Sequence, residues 1–390
     1  MIIFSKILVD QATVWESLRS AEKGEEPLPS DMIRFSGQSR PVVMWNITRE
    51  CNLACKHCYL DARGPARDEL NLEEGIRLID ELATLKVPVL ILTGGEPLLS
   101  RNFYDYVQHA KEAGVRCVLS TNGTLITPEV ARLLYEAEIR YVGVSIDSAR
   151  PDVHDRWRGV KGAHARALEG LLNSKAAGLK TGVRVTLTKE NWHEIPSLLD
   201  LALGFGIPRF CLYHLVPTGR GTGVIDLDVT PEERKSVLQF LAEAAVELKD
   251  EEIEILTTDS PMDGAYLLEM LDRKSERREE VKKLLEIAGG CSAGVKVANI
   301  GYRGDVHPCH FMPQMVVGNL RERSFRDIWI DNPSAELQEL RRMRKMLHGA
   351  CGDCEHLNIC GGCRQKAQYY GGDLFGEDPT CLLRKRQING

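Results

Sequence analysis

The chain has no excess of positive charge. Fifty Lys and Arg face 56 Asp and Glu, a formal net charge of −6, so no global basic surface recommends nucleic acid as the main partner. A local arginine cluster could still take an anionic small molecule. Long apolar runs are missing too. The opening stretch, Met1 to Asp10, is broken by Lys6 and Asp10 well short of a signal-peptide core or a membrane span, and the expectation is a cytoplasmic protein with no membrane partner. No internal repeat of fixed period or low-complexity tract appears. The chain does have 390 residues, 43% of them hydrophobic, enough to fill the cores of two or three globular domains.

Twelve cysteines in a chain without an export signal argue for metal binding over disulfides, because the cytosol keeps thiols reduced. Three of them, Cys51, Cys55 and Cys58, follow a C-x3-C-x2-C spacing that ends on the aromatic Tyr59. Thiolates suit zinc or an iron–sulfur cluster, and a closed site of either kind wants four ligands. Here the fourth local ligand is missing. A cubane held by three cysteines leaves one iron open to a small molecule; a truncated zinc knuckle is the competing reading. Cys117 and Cys211 sit in strand patterns and read as small core residues. Seven more, Cys291, Cys309, Cys351, Cys354, Cys360, Cys363 and Cys381, crowd the C-terminal part. Their C-x2-C pairs also fit zinc ribbons, but seven thiols fall one short of two closed four-cysteine zinc sites.

Between these groups the pattern alternates strand and helix. Apolar runs over Val42–Thr48, Val87–Thr93, Arg116–Ser120, Tyr141–Ile146, Thr181–Leu187 and Arg209–Val216 predict strands. Helical spacing predicts helices over Leu72–Leu85, Phe103–Ala113, Pro128–Glu138, His164–Ala177, Ile195–Leu203 and Glu232–Leu248, with Thr127 as an N-cap. Nearly continuous apolar strands imply a parallel sheet covered by helices. The fold expected is α/β, a partial (β/α)6 TIM-like barrel over 39–250 with its active site at the C-terminal ends of the strands. Residues 1–38 read as an N-terminal arm, 251–290 as a helical bridge with a solvated charged face, and 291–390 as a small cysteine-rich domain held together by metal.

The cysteine triplet followed by Gly94-Gly95-Glu96-Pro97 resembles the radical S-adenosylmethionine (SAM) superfamily. The resemblance implies a [4Fe–4S] cluster on Cys51, Cys55 and Cys58 whose open iron chelates SAM, and reductive cleavage of SAM to a 5′-deoxyadenosyl radical. It further implies that Tyr59 and the backbone of Gly94, Gly95 and Glu96 approach the cofactor, Glu96 facing its amino group, while Pro97 stiffens the turn. Ser120, Asn122, Ser145 and Asp147 would line its ribose and carboxylate, and Arg184 would pair the carboxylate. His214 would contact adenine or give a proton to substrate, or else serve as a hydrogen-bonded structural residue.

The C-terminal cysteines resemble the SPASM domain, which carries one or two auxiliary [4Fe–4S] clusters. By position, Cys351, Cys354, Cys360 and Cys381 would hold one cluster and Cys291, Cys309 and Cys363 the other. The fourth site of the second would be open or filled by His307 or His310. The spacing Cys360-Gly-Gly-Cys363 departs from the usual C-x3-C.

Met1-Ile-Ile-Phe-Ser-Lys-Ile, Pro41 to Cys51, Pro217-Thr-Gly-Arg-Gly, Asp305-Val-His-Pro-Cys-His310, Val317-Gly-Asn-Leu and Cys360-Gly-Gly-Cys-Arg resemble the haem-biosynthesis branch of these enzymes. That implies an iron tetrapyrrole substrate, in first place loss of acetate side chains from 12,18-didecarboxysiroheme. Alternatives are haem d1 side-chain removal and Fe-coproporphyrin decarboxylation. Such a substrate wants a wide cavity with arginines for its carboxylates, for which Arg156, Arg158 and Arg220 are candidates, and a ferredoxin or flavodoxin as electron donor. A SPASM maturase of a peptide or of a protein-bound cofactor, and a non-catalytic iron–sulfur electron carrier, are the competing functions.

Overall fold

The structure is a computed structural model that describes residues 1–9 and 40–384; most of the arm expected over 1–38 therefore lies outside the described residues. One sheet of eleven strands organises the molecule, in the order β1-β8-β7-β6-β5-β4-β3-β2-β9-β10-β11. Strands β2 (Val42–Thr48), β3 (Leu90–Gly94), β4 (Cys117–Thr121), β5 (Val142–Ser145), β6 (Thr181–Leu187), β7 (Arg209–His214) and β8 (Glu254–Thr258) run parallel. A short antiparallel strand β1 (Ile2–Ile3) covers the free edge of β8.

The period of two along each strand sorts the side chains. Trp45, Leu92, Leu119, Val144, Val185 and Leu212 are almost fully buried in the main apolar core. Their neighbours Met44, Thr93, Ser120, Ser145, Arg184 and Tyr213 turn the other way and line an inner cavity. The helices on the outside start where local chemistry starts them. Asn71 and Glu74 form a reciprocal capping box on Leu72–Thr84, and Thr127 accepts from the Val130 N–H at 3.2 Å ahead of Pro128–Glu136.

Two departures from the sequence reading bear on the site. Within 251–290, read as a helical bridge, Glu254–Thr258 forms the seventh parallel strand, ahead of helices Met262–Met270 and Glu276–Ala288. The strand is five residues long and follows the acidic Asp250-Glu-Glu, so its alternation is too brief to stand out. The other lies past Cys291: β9 (Val297–Ile300) pairs in parallel with β2, and β10 (Asp305–His307) and β11 (Gly318–Asn319) extend the sheet as an antiparallel meander. The cysteine-rich segment thus continues the barrel sheet. Among the described residues no helix is long and apolar enough to cross a membrane.

Candidate active site

The loop after β2 carries the cysteine triplet, and three separate elements hold it. Its backbone donates from Ala54 to the Arg158 carbonyl at 3.0 Å and from Lys56 to the Trp157 carbonyl at 3.1 Å, docking it on the end of helix Pro151–Arg158. That helix ends on Gly159 at φ 74°, where a Cβ would stand 2.7 Å from the Ala54 carbonyl oxygen. His57 stacks on Trp157 with ring centroids 5.0 Å apart. From the other side Arg220 bonds the Cys55 and Ala62 carbonyls at 2.9 and 2.8 Å and the Asp61 carboxylate at 2.9 Å.

Arg158 runs beneath the loop, its Nη2 2.6 Å from Asp147 Oδ2 and its Nη1 3.6 Å from Cys55 Sγ. Tyr59 completes the anchorage, giving its hydroxyl to Asn46 Oδ1 at 2.7 Å and turning its ring edge to His310 at 5.3 Å.

Held in this way, the three thiols crowd one another. Burial pushes Cys51 up to about 12, with Cys55, Glu96 and Cys58 adding to the shift. Burial raises Cys55 as well, against the pull of Arg158. The Leu53 and Ala62 N–H groups point at Cys51 Sγ and Cys58 Sγ at 3.4 and 3.3 Å. Buried, converging sulfurs that accept N–H bonds are a donor set that ionises when a metal centre supplies the positive charge. Among the described residues no three His, Cys, Asp or Glu side chains close on a single ion. A cubane binds one thiolate at each iron, so its ligands stand further apart than those of one ion.

The C-terminal thiols separate into two sets. Cys309 is raised far above its usual value by burial first and then by Cys291 and Cys363. Cys360 is raised by burial, with Asp378, Cys381 and Cys351 adding to it. Cys354 accepts the His356 N–H at 3.4 Å on the same loop as Cys351. The odd spacing Cys360-Gly-Gly-Cys363 has a structural reason: Gly361 and Gly362 both take left-handed φ, 65° and 64°, which only glycine does readily. The turn throws Cys360 into one set and Cys363 into the other. His310 lines the cavity with Nδ1 3.9 Å from Cys309 Sγ, whereas His307 bonds the Met315 carbonyl at 3.0 Å.

The cavity that joins the sets measures about 2590 Å³ and is lined by Cys51, Cys55 and Cys58 as well as Cys291, Cys309 and Cys363. A typical small-molecule site is roughly 300–1,000 Å³. Gly94 and Gly95 lie on its wall. A Cβ on Gly95 would fall 2.0 Å from the Glu50 carbonyl oxygen, and Gly94 stands at φ 134°, so this strand end has to be glycine. Asn122 lies beside the triplet, its Nδ2 bonded to Asn52 at 2.8 Å and 4.0 Å from Cys51 Sγ. Ser145 lines the wall. Arg184 hydrogen-bonds Ser120 and stacks its guanidinium 4.5 Å over Tyr213. Among the described residues no carboxylate forms a salt bridge with Arg184.

Several expected residues are committed elsewhere. Asp147 does not line the cavity; its Oδ1 accepts the Thr186 N–H at 2.8 Å and its Oδ2 pairs Arg158, so it braces the cysteine loop. All three candidate substrate arginines are engaged by protein, Arg158 and Arg220 as above and Arg156 on an exposed helix face with Asp152 at 3.1 Å. His214 is enclosed, its Nε2 2.7 Å from Asp263 Oδ2 with both side chains fully covered. The pair ties β7 to helix Met262–Met270 at a place where His214 borders the cavity, and burial lowers its pKa despite the carboxylate.

Glu96 is turned away from the cavity and fully buried, bonding Thr121 Oγ1 at 2.8 Å and the Asn122 N–H at 2.9 Å. Burial pushes it from the usual 4.5 up to about 7, against those hydrogen bonds. Because the folded protein then holds this proton more tightly than the unfolded chain, the contribution is present below 4.5 and is lost as pH rises through about 7. Glu96→Gln should remove that loss. Melting temperatures of wild type and variant measured across this range should diverge with rising pH, and parallel curves would contradict the assignment.

The sequence reading missed Asp259. It directly follows β8, lines the cavity, has φ 68° and is pushed up to about 6 by burial. The available signal was an acid followed by Ser-Pro directly after Ile-Leu-Thr-Thr, legible only once that run is taken as a strand.

Comparison with known proteins agrees with this geometry. The family description Radical SAM superfamily matches residues 45–202, and an iron–sulfur cluster-binding domain, SPASM, matches 291–355. Fe-coproporphyrin III synthase of Methanosarcina barkeri is 39% identical over 100% of this chain and 99% of its own length. Pre-heme d1 synthase of Dinoroseobacter shibae is 36% identical over 92% of this chain and 89% of its own. Among solved structures, SuiB of Streptococcus suis bound to its precursor peptide SuiA superposes with a TM-score of 0.73 at 19% identity, covering 96% of this chain and 82% of that one; that likeness speaks to the fold alone. The chain belongs to the radical SAM superfamily. Within it, these relatives put the chain in the haem-biosynthesis branch. Membership brings SAM and a [4Fe–4S] cluster to the barrel, and auxiliary iron–sulfur clusters to the C-terminal domain.

Proposed function

We propose that the chain removes acetate side chains from an iron tetrapyrrole, 12,18-didecarboxysiroheme, in siroheme-dependent haem formation. The observation that carries the reading is one cavity of about 2590 Å³ that runs through the barrel and has both the barrel thiols and C-terminal thiols on its wall, wide enough for a macrocycle beside a nucleoside. Full-length similarity to a protein named Fe-coproporphyrin III synthase supports it.

Cys51, Cys55 and Cys58 would hold the barrel cluster. Cys351, Cys354, Cys360 and Cys381 would hold one auxiliary cluster and Cys291, Cys309 and Cys363 the other, with His310, whose Nδ1 lies 3.9 Å from Cys309 Sγ, as the candidate for its fourth position. When bound, SAM and its cluster supply a 5′-deoxyadenosyl radical, chemistry that belongs to the cofactor. The protein's part is position and enclosure. Gly94 and Gly95 let backbone approach the methionine end, and Arg184, held by Ser120 and Tyr213, offers a cation to a carboxylate. Tyr59, His310 and Phe311 pack ring against ring on the cavity wall and keep water from that side. A ferredoxin or flavodoxin is the electron donor consistent with the branch.

The test is anaerobic incubation of reduced, iron-loaded protein with SAM and the tetrapyrrole, reading 5′-deoxyadenosine and product mass together. Loss of acetate units is the expected result. Loss of carbon dioxide instead would move the chain to the decarboxylating members of the branch, and an unchanged tetrapyrrole with active SAM cleavage would overturn the reading.

A further inference from the structure

Asp259 has no part in the machinery described so far, yet several independent features point to one. It stands at the C-terminal end of a parallel barrel strand, where catalytic side chains of such barrels collect. Its φ of 68° is a left-handed conformation that an aspartate tolerates at a cost of about 1 kcal/mol or more. Its Oδ1 accepts the Thr258 hydroxyl at 3.2 Å, while Oδ2 is buried and has no hydrogen-bond partner among the described residues. Arg184, Lys366 and the amino group of Met1 are its cationic neighbours. Cys309, Cys211 and Tyr213 also sense its charge. Among the described residues the cavity's other acidic lining residue, Glu286, is exposed on helix Glu276–Ala288. Asp147 and Glu96 are bonded elsewhere, as described above.

Removing an acetate arm from a saturated ring carbon sets a requirement. One ring C–H bond and one ring-carbon–CH2 bond break, and a ring double bond forms. The hydrogen atom goes to the deoxyadenosyl carbon. The carboxymethyl fragment, to leave as acetate, then needs one electron and one proton. A reduced iron–sulfur centre, recharged by a low-potential electron carrier, is the class of reductant that supplies the electron. Resting on the substrate reading above, we propose that Asp259 is a catalytic residue that gives this proton to the departing carbon and is reprotonated from solvent.

The test runs the iron-loaded enzyme with SAM, reductant and the tetrapyrrole in D2O, and weighs the acetate. Wild type should release acetate carrying one solvent deuterium in its methyl group. Asp259→Asn should keep its iron–sulfur EPR signals and its cleavage of SAM but release acetate at least about 100-fold more slowly, the lower range for loss of a general acid, and Asp259→Glu should recover part of the rate. Acetate without solvent deuterium from wild type, or an Asp259→Asn variant that matches wild-type release, overturns the proposal while leaving the substrate reading intact. Absence of acetate from wild type that still cleaves SAM overturns the substrate reading, and this assignment with it.

Discussion

Cys55→Ala is expected to abolish SAM cleavage outright, with no 5′-deoxyadenosine formed by the reduced protein. Cys55 is the most enclosed of the triplet at 8% exposure, the one sulfur that an arginine addresses directly, and the nearest in sequence to both partners. With one of three thiolates gone, a cubane in the barrel would keep only two protein ligands. Iron should fall by about four atoms per chain, one cluster's worth, while the signals of the auxiliary centres persist because their cysteines lie on other elements. Cys117→Ala is the control. That thiol packs in the β4 core at 4% exposure, so its loss should lower stability without touching iron content. Full iron content or continued SAM cleavage in Cys55→Ala would sink the assignment of the triplet.

Arg158→Met should be strongly destabilising. Its partner Asp147 has a side chain only 2% exposed, and the Arg158 side chain is 9% exposed, so removing the cation leaves the carboxylate without its partner in a place water hardly reaches. Breaking a buried pair in this way costs about 3–5 kcal/mol. The same cation draws Cys55 down against its burial, so cluster assembly should also slow. Urea unfolding of the metal-free protein measures the first effect and the rate of iron uptake the second. The double variant Arg158→Met with Asp147→Asn should regain part of the stability. A loss below about 1 kcal/mol, the scale of an exposed pair, would show that the pair does not brace the loop.

What was legible in the sequence follows from how local each signal is. The cysteine spacing, the glycine pair at 94 and 95 and the six apolar strands are carried by neighbours in the chain, and each reappears in the structure. Strand β8 is too short for its alternation to stand out, and β9 owes its place in the sheet to pairing with a strand some 250 residues earlier. Side-chain destination is less local still. Arg156, Arg158 and Arg220 are equally plausible carboxylate partners as letters. Only the folded chain sends the first to an exposed face, the second under the loop and the third across it. Asp147 shows the same limit, since a polar residue at a barrel strand end reads as a site residue whether it faces the cavity or a neighbouring helix. Asp259 escaped for the converse reason, that its strand had not been recognised.

The ladder that joins Trp45 to Ile300 gives the two halves a shared ruler. The loop with the first thiols leaves the end of β2, and the meander that begins with β9 leads within a few residues to Cys309. Any redox centres seated at these two places are tied through paired backbone strands, β2 to β9 and β9 to β10, and not by a pliant tether. An electron moving between them would meet a gap that stays constant through each turnover.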